Sequence, residues 1–193
     1  MSIILKKDQK FNLSKGKINL KKILVKVSWN LNDKQDGLDY DLDTTAFLLG
    51  ANDLAPTQEE FIFYGNLIHR SGSVEHMGDS LAADEGGKNE KIRIDLSIVP
   101  SNIQKIILTV SVYDAETRKQ SFGQISNASV QILNEITNEE ILRYDLEEDF
   151  AVETAIIIGE IFREGDAWKF NVLGEGFYGG LLGLCQKFGI EAE

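Results

Sequence analysis

Short segments in which apolar and polar residues alternate recur along the chain, with Gly, Asn and Asp between them. Residues 23–29 alternate and are rich in β-branched side chains, and residues 106–113 are almost continuously apolar on one face. Both features are typical of β-strands. Further short segments have the same character: 45–49, 61–64, 91–96, 128–133, 141–146, 155–163 and 167–173. The pattern therefore predicts a mostly-β chain.

The C-terminal part of the chain carries the clearest turn and helix signals. Glu164-Gly165-Asp166 joins two strand segments and predicts a β-hairpin. Residues 179–187 predict a short helix that ends at Gly189. Because the strands are short, regular and separated by turns, we expect a two-sheet β-sandwich with a short C-terminal helix. No linker or low-complexity tract divides the sequence, so residues 1–193 are predicted to form one domain.

Composition narrows the range of functions. The formal net charge of −11 argues against nucleic-acid binding, which needs Lys and Arg to displace counterions from phosphate, and against docking on an anionic membrane. An acidic surface can serve solubility alone, so the charge does not choose between that role and the binding of metal ions or a cationic partner. Cys185 is the only cysteine, and no apolar stretch approaches the ~20 residues of a membrane span. We expect a cytoplasmic protein.

The first candidate site is an alternating acidic segment. Asp39, Asp41 and Asp43 are separated by Tyr and Leu, and in an extended chain this alternation puts the three carboxylates on one face. Their mutual repulsion favours a hard cation with oxygen ligands, calcium or magnesium. The segment is not an EF-hand, because Thr44 and Gly50 occupy the sixth and twelfth positions counted from Asp39. A solvated acidic edge that discourages aggregation explains the segment equally well.

Two further acidic segments are candidates to complete such a site. One is a glycine-rich loop, residues 78–90, and the other directly follows the strongest predicted strand. Their candidate ligands are Asp79, Asp84, Glu90, Asp114 and Glu116. A solvated loop, and a turn in which Asp114 caps the backbone, are the ordinary alternatives. If the three segments meet at one end of a sandwich, they form a composite metal site.

The remaining motifs point away from catalysis. A Gly-x-Gly-x-x-Gly pattern over 174–179 has no βαβ unit around it and favours a tight backbone turn. His69, His76 and Cys185 make a poor zinc set. No Ser/His/Asp or Cys/His arrangement stands out, so hydrolysis by a nucleophile is not expected.

A series of motifs spans almost the whole chain. In order they are DGLDYDLD, FLLGAN, FIFYGN, SGSVEHMGDS, IDLSIVP, VYDAETRKQSFGQ, RYDLEED, ETAIIIGEIFREGDAWKF and GEGFYGGL. Together they resemble the TerD family, the tellurium-resistance and general-stress proteins of bacteria. The resemblance implies a β-sandwich often likened to calcium-binding C2 domains, calcium binding by the acidic loops and no established enzymatic activity. The ligands that it implies are Asp41, Asp43, Asp79, Asp114 and Glu116.

The chain departs from the family pattern in the second acidic segment. Lys88 and Asn89 stand where the family has two aspartates, while Glu90 keeps the final acid. A protonated lysine cannot be a metal ligand and reduces the negative charge of the loop. We therefore expect that one metal site is weakened, or is re-formed around Asp84 and Glu85.

The resemblance also sets the expected function. It implies a non-catalytic calcium-binding protein of tellurite and chemical stress resistance, whose metal-ordered loops present a surface to other stress-resistance proteins, some of them in a membrane-associated complex. A calcium-dependent membrane or lipid adaptor and a metal-dependent hydrolase are the alternatives. Neither nucleic-acid binding nor direct insertion into a membrane is expected.

Overall fold

The computed structural model describes residues 2–14, 20–31, 40–79, 88–146 and 150–192, and for Leu31 and Asp79 it describes the backbone alone. The strands are β1 Ile3–Ile4, β2 Lys10–Asn12, β3 Lys22–Leu31, β4 Leu42–Leu49, β5 Phe61–Ile62, β6 Val74–Asp79, β7 Lys88–Asp95, β8 Lys105–Val112, β9 Ile125–Asn134, β10 Glu140–Asp145, β11 Ala155–Glu164 and β12 Ala167–Phe177. The α-helices are α1 Ala115–Arg118 and α2 Gly180–Phe188. Short 3₁₀ turns cover Gln58–Glu60 and Phe122–Gln124.

The described strands form two six-stranded sheets. The first sheet has the order β1-β10-β9-β3-β7-β6, and the second has the order β2-β12-β11-β8-β4-β5. β1 pairs in parallel with β10, whereas the long central strands pair antiparallel. The predicted two-sheet β-sandwich is confirmed.

Alternation along each strand determines which side chains are buried between the sheets. On β3, every second residue faces the core, namely Ile23, Val25, Val27 and Trp29. Each of them is at most 2% exposed. The even-numbered residues of β8 reach the same core from the second sheet, namely Ile106, Leu108, Val110 and Val112. Burial of each such aliphatic side chain contributes about 1.5–3 kcal/mol relative to exposure, so this layer is the main source of stability.

The outer face of the second sheet carries a second hydrophobic cluster beneath α2. Phe47 and Leu49 of β4 pack there with Leu184, Cys185 and Phe188 of the helix. The helix ends at Gly189, whose φ of 79° lies in the left-handed region and whose backbone N–H closes the last turn. β4 is therefore buried on both faces, which explains why all eight of its residues are buried.

The structure confirms the hairpin and the C-terminal helix, and it corrects several element boundaries. Gly165, with a φ of 60°, and Asp166 form the two-residue turn between β11 and β12. β1, β2 and β6 were not predicted, because they are short or lack a clear alternation. The stretch from Gly174 to Gly176, predicted as a turn, belongs to β12.

The second acidic segment is also organised differently from the prediction. Residues 78–90 were expected to form one loop, but β6 extends to Asp79 and β7 begins at Lys88. Lys88, Asn89 and Glu90 are therefore strand residues that pair with β3. Because they pair with β3, each of these side chains faces a definite side of the sheet, which would not be so in a loop.

Candidate functional site

The strand ends that flank the three acidic segments lie at the same end of the sandwich. In the second sheet, the start of β4 pairs with the end of β8, Leu42 with Val112. In the first sheet, the end of β6 pairs with the start of β7, Asp79 with Glu90. We call this end, defined by the start of β4, the end of β6, the start of β7 and the end of β8, the acidic end. Asp39 and Asp84 lie outside the described residues.

Two contacts join the sheets at the acidic end. The Glu90 carboxylate Oε2 accepts a hydrogen bond of 2.5 Å from the backbone N–H of Thr44. The Lys88 ammonium donates to the backbone carbonyl of Tyr40 at 2.9 Å. We call this pair of contacts the inter-sheet bridge. It places a carboxylate and an ammonium of β7 directly against the start of β4.

Asp41 directly precedes β4 and Asp43 is the second residue of this strand, and the two side chains differ in burial. Asp43 is 8% exposed, and its direct cross-strand partner on β8 is Ser111. Because the neighbouring Leu42 faces the core between the sheets, Asp43 faces the outer side of the second sheet. Asp41 is exposed, and its carbonyl accepts the backbone N–H of Tyr113 at 2.9 Å.

Glu90 faces the opposite side of β4 from Asp43. It shares the inward orientation of Ile92 and Ile94, and it is 4% exposed. Nε2 of His76, which is also buried, lies 3.5 Å from Glu90 Oε2. The Glu90 and Asp43 carboxylates are thus separated by the backbone of β4 and do not face each other.

A local contact orients the His76 ring. Its Nδ1 accepts the backbone N–H of Gly78 at 3.1 Å, so Nδ1 carries no proton. The other ring nitrogen, Nε2, faces Glu90. The orientation of His76 toward a buried carboxylate was not predicted from the sequence.

Asp114 and Glu116 are both exposed at the end of β8. Asp114 adopts the left-handed conformation, with φ 48° and ψ 40°, and precedes the single turn of α1. Its side chain makes no capping hydrogen bond to that helix. The alternative in which Asp114 serves as a side-chain cap is therefore wrong, and its carboxylate is directed by a backbone conformation that is uncommon for a residue other than glycine.

Buried oxygen atoms without hydrogen-bond partners are found near the acidic end. They are Oγ1 of Thr44, Oγ of Ser111 and Oε1 of Gln120, whose Nε2 also lacks a partner. A buried polar group without a partner costs about 1–3 kcal/mol, so such groups call for an explanation. Neutral oxygens of this kind, with carboxylates, are the donors that calcium takes. The donor chemistry fits a hard cation.

The described residues do not by themselves form a metal site. Within the part of the chain that the structure describes, no group of three or more His, Cys, Asp or Glu side chains is close enough to hold a metal ion. A complete set of carboxylate ligands would have to include side chains that the structure does not describe, and the predicted ligands Asp39 and Asp84 are among them. The side chain of Asp79 is likewise not described.

An aromatic group lies beside Asp43 on the outer side of the second sheet. The rings of Tyr64 and Tyr113 meet edge to face with centroids 6.5 Å apart, and the Arg118 guanidinium lies 4.8 Å from the Tyr113 ring. Burial raises the pKa of the Tyr64 phenol, and the charges of Asp43 and then Tyr113 raise it further. Local sequence patterns do not reveal this group, because Tyr64 and Tyr113 come from distant parts of the chain.

The two histidines and the cysteine belong to separate environments. Nε2 of His69 lies 3.9 Å from Oε1 of Glu60, and both side chains are almost fully buried. Burial lowers the pKa of His69. Cys185 is buried under α2, and this burial raises the pKa of its thiol to about 11. Because His76 faces Glu90 instead, these three residues do not form a zinc site.

An open cavity of about 800 Å³ lies beside the start of β9 and the end of β10. Phe122, Phe150 and the side chains of Arg143 and Asp145 are among its lining residues. Arg143 Nε donates to Asp145 Oδ1 at 2.6 Å, so these two charges largely neutralise each other. This pair offers a bound molecule little net charge.

The comparisons with known proteins cover the whole length of the chain. Residues 1–188 match the TerD domain model. General stress protein 16U of Bacillus subtilis is 46% identical over 191 residues, which are 99% of each chain. Tellurium resistance protein TerD of Serratia marcescens is 42% identical over 193 residues, which are all of each chain.

Solved structures show the same fold at lower identity. A homologue of telluride resistance protein (TerD) from Streptomyces coelicolor superposes with a TM-score of 0.67 at 20% identity, over 84% of this chain and 94% of that one. A protein of unknown function gives a TM-score of 0.71 at 18% identity, over 90% and 99%. The match of the domain model and the similarity of full-length relatives lead to one conclusion, which the sequence motifs predicted: the chain belongs to the TerD family.

Proposed function

We propose that this chain is a non-catalytic, calcium-binding protein that serves resistance to tellurite and other chemical stress. The stress role is supported by the full-length similarity to proteins named for tellurium resistance, for general stress and for resistance to chemical damaging agents. The observation that carries the calcium role is the meeting of the strand ends that flank three acidic segments at one end of the sandwich.

Carboxylates and neutral oxygens from different segments would hold the ion together. Asp41 and Asp43 at the start of β4, and Asp114 and Glu116 after β8, come from the described part of the acidic end. Asp39, Asp79 and Asp84 are further predicted ligands, whereas Glu90, also predicted, faces the opposite side of β4 and would not share an ion with Asp43. A bound calcium ion supplies positive charge and coordination bonds between segments. In the calcium-free protein these carboxylates repel one another, and a bound calcium ion offsets the repulsion.

Two observations support a non-catalytic role. The Cys185 thiol is buried, and its pKa of about 11 leaves almost no thiolate near neutral pH. His69 is buried against Glu60, and His76 is held between Gly78 and Glu90. Each of these potential nucleophiles or bases is thus engaged in the interior of the fold.

The partner surface that we propose is the calcium-loaded acidic end, and its partners are other stress-resistance proteins, some of them in a membrane-associated complex. Tyr64 and Tyr113 are 51% and 40% exposed there, and exposed tyrosines are frequent in protein interfaces. In the described part of the chain, neither helix is long and apolar enough to cross a membrane. We place the protein in the cytoplasm.

A calcium-dependent lipid adaptor is the second candidate, favoured by the same exposed tyrosines beside acidic residues. Co-sedimentation with vesicles of phosphatidylcholine and phosphatidylserine, with calcium or with chelator, separates the two functions. Binding to these vesicles only with calcium would favour the adaptor. A protein that stays in the supernatant under both conditions favours the partner surface.

The calcium role is tested by measuring metal content, calcium binding and melting temperature. At calcium concentrations about 100-fold above Kd, a ligand bound only to the native state stabilises it by about 2.7 kcal/mol, a rise in Tm of roughly 5–10 °C for a chain of this size. Asp43→Asn should reduce calorimetric affinity and the rise in Tm. Asp166→Asn, at the exposed tip of the β11–β12 hairpin, is the matched control. Absence of both binding and a Tm change at millimolar calcium would overturn the calcium role.

A further inference from the structure

Two successive inward-facing side chains of β7 hold β4 through opposite charges. Lys88 and Glu90 share one face of the strand, because they are two residues apart. The ammonium of Lys88 donates to the Tyr40 carbonyl at 2.9 Å, and the carboxylate of Glu90 accepts the Thr44 N–H at 2.5 Å. The inter-sheet bridge therefore brings one positive charge into the acidic end.

The Lys88 ammonium lies between the sheets against a backbone oxygen. A backbone carbonyl such as that of Tyr40 is a usual neutral ligand of calcium, and here it receives an ammonium proton. Oγ1 of Thr44, in the same segment, is buried and has no hydrogen-bond partner, although the neighbouring N–H binds Glu90. The segment from Tyr40 to Thr44 thus presents a backbone carbonyl to Lys88 and a backbone N–H to Glu90.

We propose that the Lys88 ammonium is an internal cation, which joins β7 to β4 without metal and takes the place of one metal ion at the acidic end. This inference rests on the proposed function in so far as it counts bound ions. A covalently attached ammonium lies at its site at any calcium concentration. The start of β4 and the start of β7 are therefore held together in the calcium-free protein, and the chain binds one calcium ion fewer than it would with a carboxylate at position 88.

The first experiment measures the melting temperature in chelator. Lys88→Gln removes the charge and is expected to lower the calcium-free Tm by about 3–6 °C, because a hydrogen bond made by a charged group is lost. Lys88→Arg, which keeps the charge, should recover part of this loss. Lys91→Gln is the matched control, since Lys91 lies on the same strand but faces the opposite side. A loss for Lys88→Gln no larger than that for Lys91→Gln would overturn the inference.

The second experiment counts calcium ions per chain by native mass spectrometry and equilibrium dialysis. Lys88→Asp is expected to bind one ion more than the wild type, and Lys91→Asp the same number. An equal count for Lys88→Asp and the wild type would overturn the replacement of an ion by Lys88. If the wild type binds no calcium ion and Lys88→Asp binds one, the inference about Lys88 stands, but the proposed calcium role of the wild type fails. The count therefore distinguishes failure of the inference from failure of the proposed function. If Lys88→Asp does not fold, the count for Lys88→Glu, which also supplies a carboxylate, decides, with one additional ion expected and an unchanged count contradicting the inference.

Discussion

The Glu90 carboxylate accepts a hydrogen bond of 2.5 Å from the backbone N–H of Thr44, 46 residues earlier in the chain, and thereby joins the two sheets at the acidic end. Both residues are at most 4% exposed. The Glu90 carboxylate in this position satisfies a buried backbone donor. The contact also orients Glu90 toward the interior, away from the side of β4 that carries Asp43.

Truncation of Glu90 should destabilise the fold even without metal. Glu90→Ala leaves the buried Thr44 N–H without its acceptor, and we expect a loss of about 2–3 kcal/mol in the free energy of unfolding. Glu90→Gln should lose less, because its amide oxygen can still accept. Urea denaturation in chelator measures both. Glu175→Ala, an exposed glutamate on β12, is the control, and an equal loss there would contradict the prediction.

His69 should make the stability depend on pH. Burial lowers its pKa in the folded protein, so between the folded and unfolded pKa values the unfolded chain binds more protons. This contribution is fully present above the unfolded pKa of about 6.5 and is lost as pH falls through the folded pKa. His69→Asn, whose side-chain oxygen can replace Nδ1 as acceptor for Ser71, should flatten the pH dependence below 6.5.

Urea denaturation at a series of pH values between 5 and 8 tests the role of His69. The wild type and His69→Asn should differ in the slope of the unfolding free energy against pH, and the wild type should have the steeper loss on the acid side. Identical slopes would show that other groups account for the acid sensitivity. His76 remains in both proteins and therefore cancels in the comparison.

Cys185 should be nearly inert toward thiol reagents in the native protein. Its pKa of about 11 lowers the thiolate fraction at pH 8 by roughly 100-fold relative to a free thiol, and its burial blocks access as well. Labelling with a chromogenic disulfide should be slow until urea unfolds the chain. The control is the double variant Cys185→Ser/Gln186→Cys. It carries one exposed thiol, since Gln186 lies on the solvent side of α2. Equally rapid labelling of both proteins would contradict the prediction.

Gly159 should not tolerate a side chain. A Cβ there would lie 2.5 Å from the carbonyl oxygen of Asn171 and 2.9 Å from the ring of Phe170, at the register shift of β11. Gly159→Ala is therefore expected to cost about 1–3 kcal/mol through overpacking. Gly50→Ala is the control, because the atom nearest to its Cβ would be Oδ1 of the Asn52 side chain at 3.3 Å. Thermal denaturation of the two variants measures the difference.

The central strands of the sheets were predictable from local patterns, whereas β6 and the first residues of β7 were not. Strands β3 and β8 have every second side chain in a core, which the alternation and the β-branched residues indicated. β6 was missed because Val74, His76 and Gly78 do not make a hydrophobic alternation, and the inward His76 pairs with a buried carboxylate instead. Residues 88–90 were assigned to a loop for the same reason, since Lys, Asn and Glu are uncommon in a strand that is buried.

The sequence by itself determined the family, the β-rich fold and the places where carboxylates are concentrated, because motifs, alternation and charge are local properties of the chain. Only the tertiary structure decided how these residues face one another. Glu90 and Asp43 are both acidic and both buried, yet one faces the core between the sheets and the other the outer side of β4. Lys88, in the sequence a departure from a family pattern, is in the structure a cation bound to the Tyr40 carbonyl. The physical reason is that strand alternation defines two faces, whereas the packing of the second sheet determines which contacts each face makes.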